Sequence, residues 1–306
     1  FVENVKYNKL GSLMPSVTNM LLNTSLAKRF IGVAVERSIP KLAQTTTLKW
    51  YKKHQNQFVK NQYLKGQVYL FIDEFTNFYD DIIGRDSIEA LSKLGYEVII
   101  TDHKESGRSF ISKGLLDQAR ELANYNVDFF KDKINKDAPL VGIEPSALLT
   151  FRDEYLRLAE DKESAREISK FTYTIEEFIE KEIEKGNIRE HQFTLQTKNI
   201  KVHGHCQQKS LSNMKATFSM LSLPKNYQVS IMNTGCCGMA GTYGLKKQTR
   251  AIGQRLYERR LKPAIDNAAN NAVVVANGFS CYEQMMDGQS DRWVLHPVEI
   301  IEKCLQ

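Results

Sequence analysis

The sequence predicts an α/β protein: two tandem pseudo-repeat modules with parallel βαβ-type sheets, preceded by a basic helical N-terminal segment. Three observations carry this. Short apolar runs alternate with helical patterns, which is how a parallel sheet with crossover helices is written. Three landmarks of the first half recur in order in the second. The charge is split: residues 1–65 hold 11 Lys/Arg against 2 Asp/Glu, and the rest of the chain 31 against 34.

Taken in order, residues 1–65 read as a basic helical arm punctuated by Pro15 and Pro40, with Leu21, Leu22, Leu26, Phe30 and Val33 at helical spacing and Trp50-Tyr51 in a second short helix. The first module, residues 66–160, opens with Val68–Ile72, a continuous apolar run of the kind buried on both faces of a parallel sheet. Ser87–Leu94 follows as a helix closed by Gly95, then a strand at Tyr96–Thr101, a helix over Gly114–Phe130 and a strand at Pro139–Ile143. Residues 161–198 are rich in charge and read as a solvated helical connector. The second module, residues 199–306, carries strands at Ile200–His203, Tyr227–Met232 and Ala272–Ala276, with a long helix over Arg250–Asn267 between the last two.

Laying Val68 on Ile200 brings the landmarks into step. Glu74 falls on Cys206, Glu105-Ser106-Gly107-Arg108 on Cys236-Cys237-Gly238-Met239, and Glu144-Pro145-Ser146-Ala147 on Gly278-Phe279-Ser280-Cys281. The spacing Glu74 to Glu105 is 31 and Cys206 to Cys236 is 30; Ser106 to Ala147 is 41 and Cys237 to Cys281 is 44. Such agreement points to duplication. Each landmark follows a predicted strand, and sites in open α/β sheets gather at the carboxyl ends of strands. Cys206, Cys236, Cys237 and Cys281 are therefore expected to converge, and four thiolates suit a thiophilic centre, iron–sulfur or zinc. The glycines of Gly235-Cys236-Cys237-Gly238 let two adjacent thiolates face one centre. His203, His205 and His296 lie near the same strand ends and are candidates to tune the site or substitute as ligands. Cys304, outside the pattern, reads as a small buried hydrophobe. In the first module Glu105 and Glu144 would need partners if buried, and Arg108 is the natural one; the same three residues are the candidates for a pocket holding a polar or anionic ligand.

Composition excludes several classes. Apolar residues at 42% and charged residues at 25% are those of a globular protein, not of a collagen, a disordered chain or a disulfide scaffold. The net charge of +6 sits on the arm alone, so a nucleic-acid binder is not expected; the arm suits an acidic partner surface, and peripheral contact with an anionic membrane face is compatible with it. No apolar run approaches the ~20 residues of a membrane span. Five cysteines, an odd number crowded into the last third, fit a reducing cytoplasm better than an oxidising compartment. The start shows no signal-peptide pattern and no Met, as in a processed chain or an excised piece of a longer one. Gly-x-Gly-x-x-Gly, Walker and nucleophile-elbow motifs do not occur.

The blocks Val202-His203-Gly204-His205-Cys206-Gln207-Gln208-Lys209, Gly235-Cys236-Cys237-Gly238-Met239-Ala240-Gly241-Thr242-Tyr243-Gly244 and Gly278-Phe279-Ser280-Cys281 resemble the cysteine-rich "CCG" domain family of heterodisulfide reductase. They are more similar still to the C-terminal part of FAD-linked oxidases of the D-lactate/glycolate dehydrogenase type. Ser106-Gly107-Arg108 with Ser112-Lys113-Gly114, and Gly142-Ile143-Glu144-Pro145-Ser146 with Arg152-Asp153-Glu154-Tyr155, resemble that group's first copy. The resemblance covers about residues 66–303. It implies an electron-transfer subunit or C-terminal domain of a flavin-linked 2-hydroxy acid dehydrogenase, with a [4Fe-4S]-type cluster or zinc in the second module. FAD is then expected on a separate domain or subunit, and a ferredoxin-like domain as a further partner. The chain departs from the family pattern: Cys281-Tyr282-Glu283-Gln284 lacks the last cysteine of Cys-x-x-Cys, which favours a four-thiolate site, and the first copy has no cysteine at all. The rival reading is a non-catalytic interaction module with structural zinc.

Overall fold

The computed structural model of the chain describes residues 2–58, 64–287 and 294–306. Its strands are β1 (Gly66–Phe71), β2 (Tyr96–Ile99), β3 (Leu140–Gly142), β4 (Thr172–Thr174), β5 (Lys198–His203), β6 (Tyr227–Ile231), β7 (Ala272–Ala276) and β8 (Val294–Leu295). They form two four-stranded sheets of the same topology, β2-β1-β3-β4 and β6-β5-β7-β8, and every pairing is parallel. The central strands β1, β3 and β7 are apolar runs of the sequence, as burial on both faces requires, whereas β5 alternates, burying Ile200, Val202 and His203. In each sheet the order reverses between the first and third strands, which opens a crevice at their carboxyl ends.

The inner faces of the two sheets share one core. Val68, Leu70 and Val141 belong to the same cluster as Ile200, Val202 and Val275. Two helix pairs fill the space between the sheets: Asp81–Lys93 packs on Pro297–Cys304, and Lys215–Leu221 on Ile175–Glu184. The first helix of each pair lies between the first and second strands of its module, and the second follows the fourth strand of the other. This reciprocity is that of a twofold interface between unequal copies. The outer faces are separate: Leu116–Phe130 covers the first sheet over Phe71 and Phe151, and the 250–266 helical stretch covers the second through Tyr257, Leu261 and Ile265.

Several local expectations are corrected. The first long helix starts at Asp81 rather than Ser87. Gly84, an unfavourable helix residue, is there because the helix Thr47–His54 crosses it: a Cβ at Gly84 would run into the Thr47 side chain. The 250–266 helix contains a π-turn over Tyr257–Leu261, which relieves the clash that Pro263 makes with the preceding turn. Residues 161–198 are not merely a solvated connector: β4 closes the first sheet, and Ile168, Ile175, Phe178 and Ile179 are core. Their exposed faces carry the charge, so composition hides an amphipathic pattern. In the arm, the expected apolar stripe does not reach a core. Thr24 caps a new helix by accepting from the Ala27 N–H, splitting Pro15–Leu22 from Ser25–Ile31; of the stripe's large residues Leu21, Leu26 and Phe30 are exposed and Val33 is buried.

Candidate metal centre

The landmarks aligned by sequence occupy equivalent places. Glu74 and Cys206 are each the first residue of a short helix after the first strand, capped by Asp73 and by His205. Ser106 and Cys237 each precede a left-handed glycine, Gly107 at φ 73° and Gly238 at φ 87°. Ala147 and Cys281 are each the third residue of the helix after the third strand. A fourth landmark lies outside the aligned blocks, though its signal is in the sequence: Thr174-x-x-Glu177 and His296-x-x-Glu299 are both capping boxes after the fourth strand.

In the second module Cys206, Cys236, Cys237 and Cys281 line one cavity of about 480 Å³ at the carboxyl ends of β5, β6 and β7. Cys237 and Cys281 form its buried wall, whereas Cys206 is exposed and Cys236 half-buried. Hydrogen bonds from Cys206 and Cys237 hold Cys236 far below the usual thiol range, and the Cys206 and Cys237 thiols rise correspondingly because each keeps its proton for Cys236. Cys281 is lowered too, by Cys237 first and by the His203 imidazole behind it. His203 is fully buried with Nδ1 2.6 Å from Thr234 Oγ1, and its buried Nε2 has no hydrogen-bond partner among the described residues. His205 uses Nδ1 to accept the Gln207 N–H at 3.2 Å, and its own N–H donates to Asn277 Oδ1 at 3.0 Å. His296 spends Nδ1 on the Val298 N–H; burial pushes its pKa down to about 3. Among the described residues no three His, Cys, Asp or Glu side chains stand in ready metal-holding geometry. The donor chemistry nevertheless suits a soft centre: four sulfurs, two of them already favoured as thiolates.

The first module replaces this chemistry with oxygen. Glu74 is buried and accepts from both the Ser106 hydroxyl (2.7 Å) and the Ser106 N–H (3.0 Å), so the Glu–Ser pair closes on itself. Ala147, fully buried, offers no donor. Arg108 does not pair with Glu105 or Glu144, the partners its position suggests. Its Nη1 meets Glu154 Oε1 at 2.7 Å and its Nε donates to the Ser146 carbonyl at 2.6 Å, because the helix Glu154–Leu158 brings a carboxylate to the guanidinium from outside the aligned motifs. Glu105 is half-buried, and burial followed by the Glu74 charge pushes its pKa up to about 7. Glu144 instead joins the modules: it accepts from the Ser146 N–H (3.0 Å) and hydroxyl (2.5 Å) and, across the interface, from the Phe279 N–H (2.7 Å). One carboxylate thus caps the third-strand helix of both copies, which suits the positive end of each.

Arg37 has no signal in the sequence. It is 2% exposed, pairs with Asp287 at 2.6 Å and donates to Gln284 Oε1 at 3.0 Å, pinning the arm to the second module. Beside it Val33 bridges to Lys246 and the Ala34 N–H donates to the Leu245 carbonyl at 2.9 Å. The basic arm therefore forms part of the cavity wall.

No family model matches the chain. It is 26% identical over 278 residues, 88% of this chain and 66% of the relative, to a subunit of the anaerobic glycerol-3-phosphate dehydrogenase of Escherichia coli. It is 25% identical over 250 residues to the D-2-hydroxyglutarate dehydrogenase of Haemophilus influenzae and 26% over 239 residues to that of Escherichia coli. These two matches take in 78% and 76% of this chain but 23% and 22% of the relatives, so the chain spans under a quarter of their length. The relatives are dehydrogenases or a dehydrogenase subunit, which agrees with an oxidoreductase setting. No helix among the described residues is long and apolar enough to cross a membrane.

Proposed function

We propose that the chain is an iron–sulfur electron-transfer module of a flavin-linked dehydrogenase, with the cluster on Cys206, Cys236, Cys237 and Cys281. The observation that carries this is the meeting of four cysteines from three strand ends on one cavity. When bound, the cluster would supply one-electron carriage, which none of the chain's own side chains offers. The chain's residues would hold and tune it. His203 lies against Cys281, and the Gly238 N–H donates to Cys236 Sγ at 3.3 Å, a bond that stabilises a thiolate. His203 and His205 would tune the cluster or substitute as ligands: each spends Nδ1 on the fold, and the buried Nε2 of His203 has no hydrogen-bond partner among the described residues. Exposed Cys206 leaves one side of the site open to the cavity. Substrate oxidation belongs to a flavin-containing domain or subunit, with a ferredoxin-like domain as a further partner. The relatives' names support a 2-hydroxy acid or a polyol phosphate as the oxidised compound, with no choice between them.

Anaerobically purified or reconstituted protein should be brown and hold iron and sulfide, and Cys236→Ser and Cys281→Ser should each lose them. Colourless protein containing zinc would establish the structural alternative. Unchanged metal in both variants, or no metal after reconstitution with iron and sulfide, would remove the site altogether.

A further inference from the structure

The thiols occupy one end of the cavity; the other end has a different chemistry. Phe75 and Tyr79 of the first module and Phe279 of the second form an aromatic wall, with ring centroids 5.3 Å apart in both contacts to Phe279. At the mouth Lys113 of the first module meets Lys246 of the second. The adjacent Lys246 ammonium lowers the Lys113 pKa, and Lys113 Nζ donates to Thr242 Oγ1 at 3.3 Å. Lys113 is exposed and Lys246 half-buried, and neither has a carboxylate within 4.0 Å among the described residues. The Lys246 backbone is anchored by its bridge to Val33. Two cations brought together from two modules without a carboxylate between them repel each other, and an anion that joins them relieves the repulsion.

The geometry points to a binding site for a planar organic anion: the ring lies along Phe75, Tyr79 and Phe279, the anionic group bridges Lys113 and Lys246, and the far edge faces Cys206 and Cys236. The size fits, since about 480 Å³ accommodates a two-ring ligand. Binding needs no metal; the ligand's significance as an electron partner rests on the redox reading above.

The test is calorimetric titration of metal-free full chain with 2-naphthoate, which is neither electrophilic nor redox-active, and with the neutral 2-naphthalenemethanol. The acid should bind one-to-one and weaken with salt. The alcohol should bind about tenfold more weakly. Lys113→Ala/Lys246→Ala should erase the difference between the two ligands, the Lys113→Arg/Lys246→Arg pair should preserve it, and Phe75→Leu should weaken both. Cys206→Ser should keep naphthoate binding, which separates failure of this site from failure of the metal centre. No saturable binding, equal affinity for acid and alcohol, or a double alanine variant that still prefers the acid would overturn the assignment.

Discussion

Glu74 and Cys206 show what one residue decides. Both begin the same helix at the same strand end, yet Glu74 satisfies itself on Ser106 while Cys206 opens to a cavity. A self-paired carboxylate makes the first copy a structural partner; a thiol with only other thiols for company makes the second a chemical one. The carboxylate next to Glu74 has a measurable consequence. Asp73 caps the helix through Phe75 N–H (2.8 Å) and Thr76 N–H (3.0 Å), but it is buried beside Glu74 and Glu144, and its pKa is pushed up to about 7, chiefly by burial. The unfolded residue titrates near 4. Between about pH 4 and 7 the folded chain therefore binds a proton that the unfolded chain does not, and Asp73 costs stability as pH rises through that window. Asp73→Asn keeps an oxygen for the cap and removes the titration. Relative to wild type it should gain stability from pH 5 to pH 8 in urea unfolding; a constant difference would show that Asp73 titrates normally.

At the scale of elements, the cysteine loop is shaped by a backbone contact. Gly238 is left-handed, and a Cβ on it would fall inside the Gly253 carbonyl oxygen. Conversely a Cβ on Gly253 would come within 2.5 Å of the Gly238 carbonyl oxygen. The loop and the helix Arg250–Leu256 approach so closely that neither position admits a side chain, and this contact sets the height of Cys236 and Cys237 above the sheet. Gly241 is also left-handed, at φ 64°, but a Cβ there meets nothing within 4 Å. Gly241→Ala should cost about 1 kcal/mol, the strain of the backbone alone. Gly238→Ala should cost about 3 kcal/mol or more, because backbone must move as well, and should lower metal uptake. Equal effects in chemical denaturation would mean that the contact with Gly253 yields freely.

For the whole molecule, the decisive feature is the reciprocal pairing of the two copies and the strap laid across them. Glu144 reaches the Phe279 N–H, and buried Asn277 joins His205 of one module to Glu176 of the other, with Nδ2 3.2 Å from Glu176 Oε1. Such a seam of buried, hydrogen-bonded polar groups fixes one register between modules. The arm crosses the seam: Trp50 and Tyr51 pack with the shared core, and Arg37 enters the second module. Arg37→Ala leaves Asp287 and Gln284 without their partner and should destabilise the protein by about 3 kcal/mol. Trypsin should then cut at Lys28, Arg29 or Lys41 faster than in wild type, while the cores of the modules stay protected. Unchanged cleavage would mean that the arm is held by its backbone bridge to Lys246 instead.

The sequence by itself determined the parallel α/β class, the two copies, and the equivalence of Glu74, Ser106 and Ala147 with Cys206, Cys237 and Cys281. Strand burial and strand-end position are local consequences of apolar runs and chain direction, so spacing along the chain is enough to read them. The charged stretch from 161 misleads because composition reports the solvent face of an amphipathic segment and is silent about Ile168, Ile175 and Phe178 beneath it. Only the tertiary structure decided that Arg108 takes Glu154, that Glu144 serves both modules, and that Lys113 and Lys246 meet. Each of these joins residues whose separation in sequence carries no period. Partner choice for a charged side chain is settled by which opposite charge the packed elements bring within about 4 Å, and that distance exists only once the two sheets have closed on their common core.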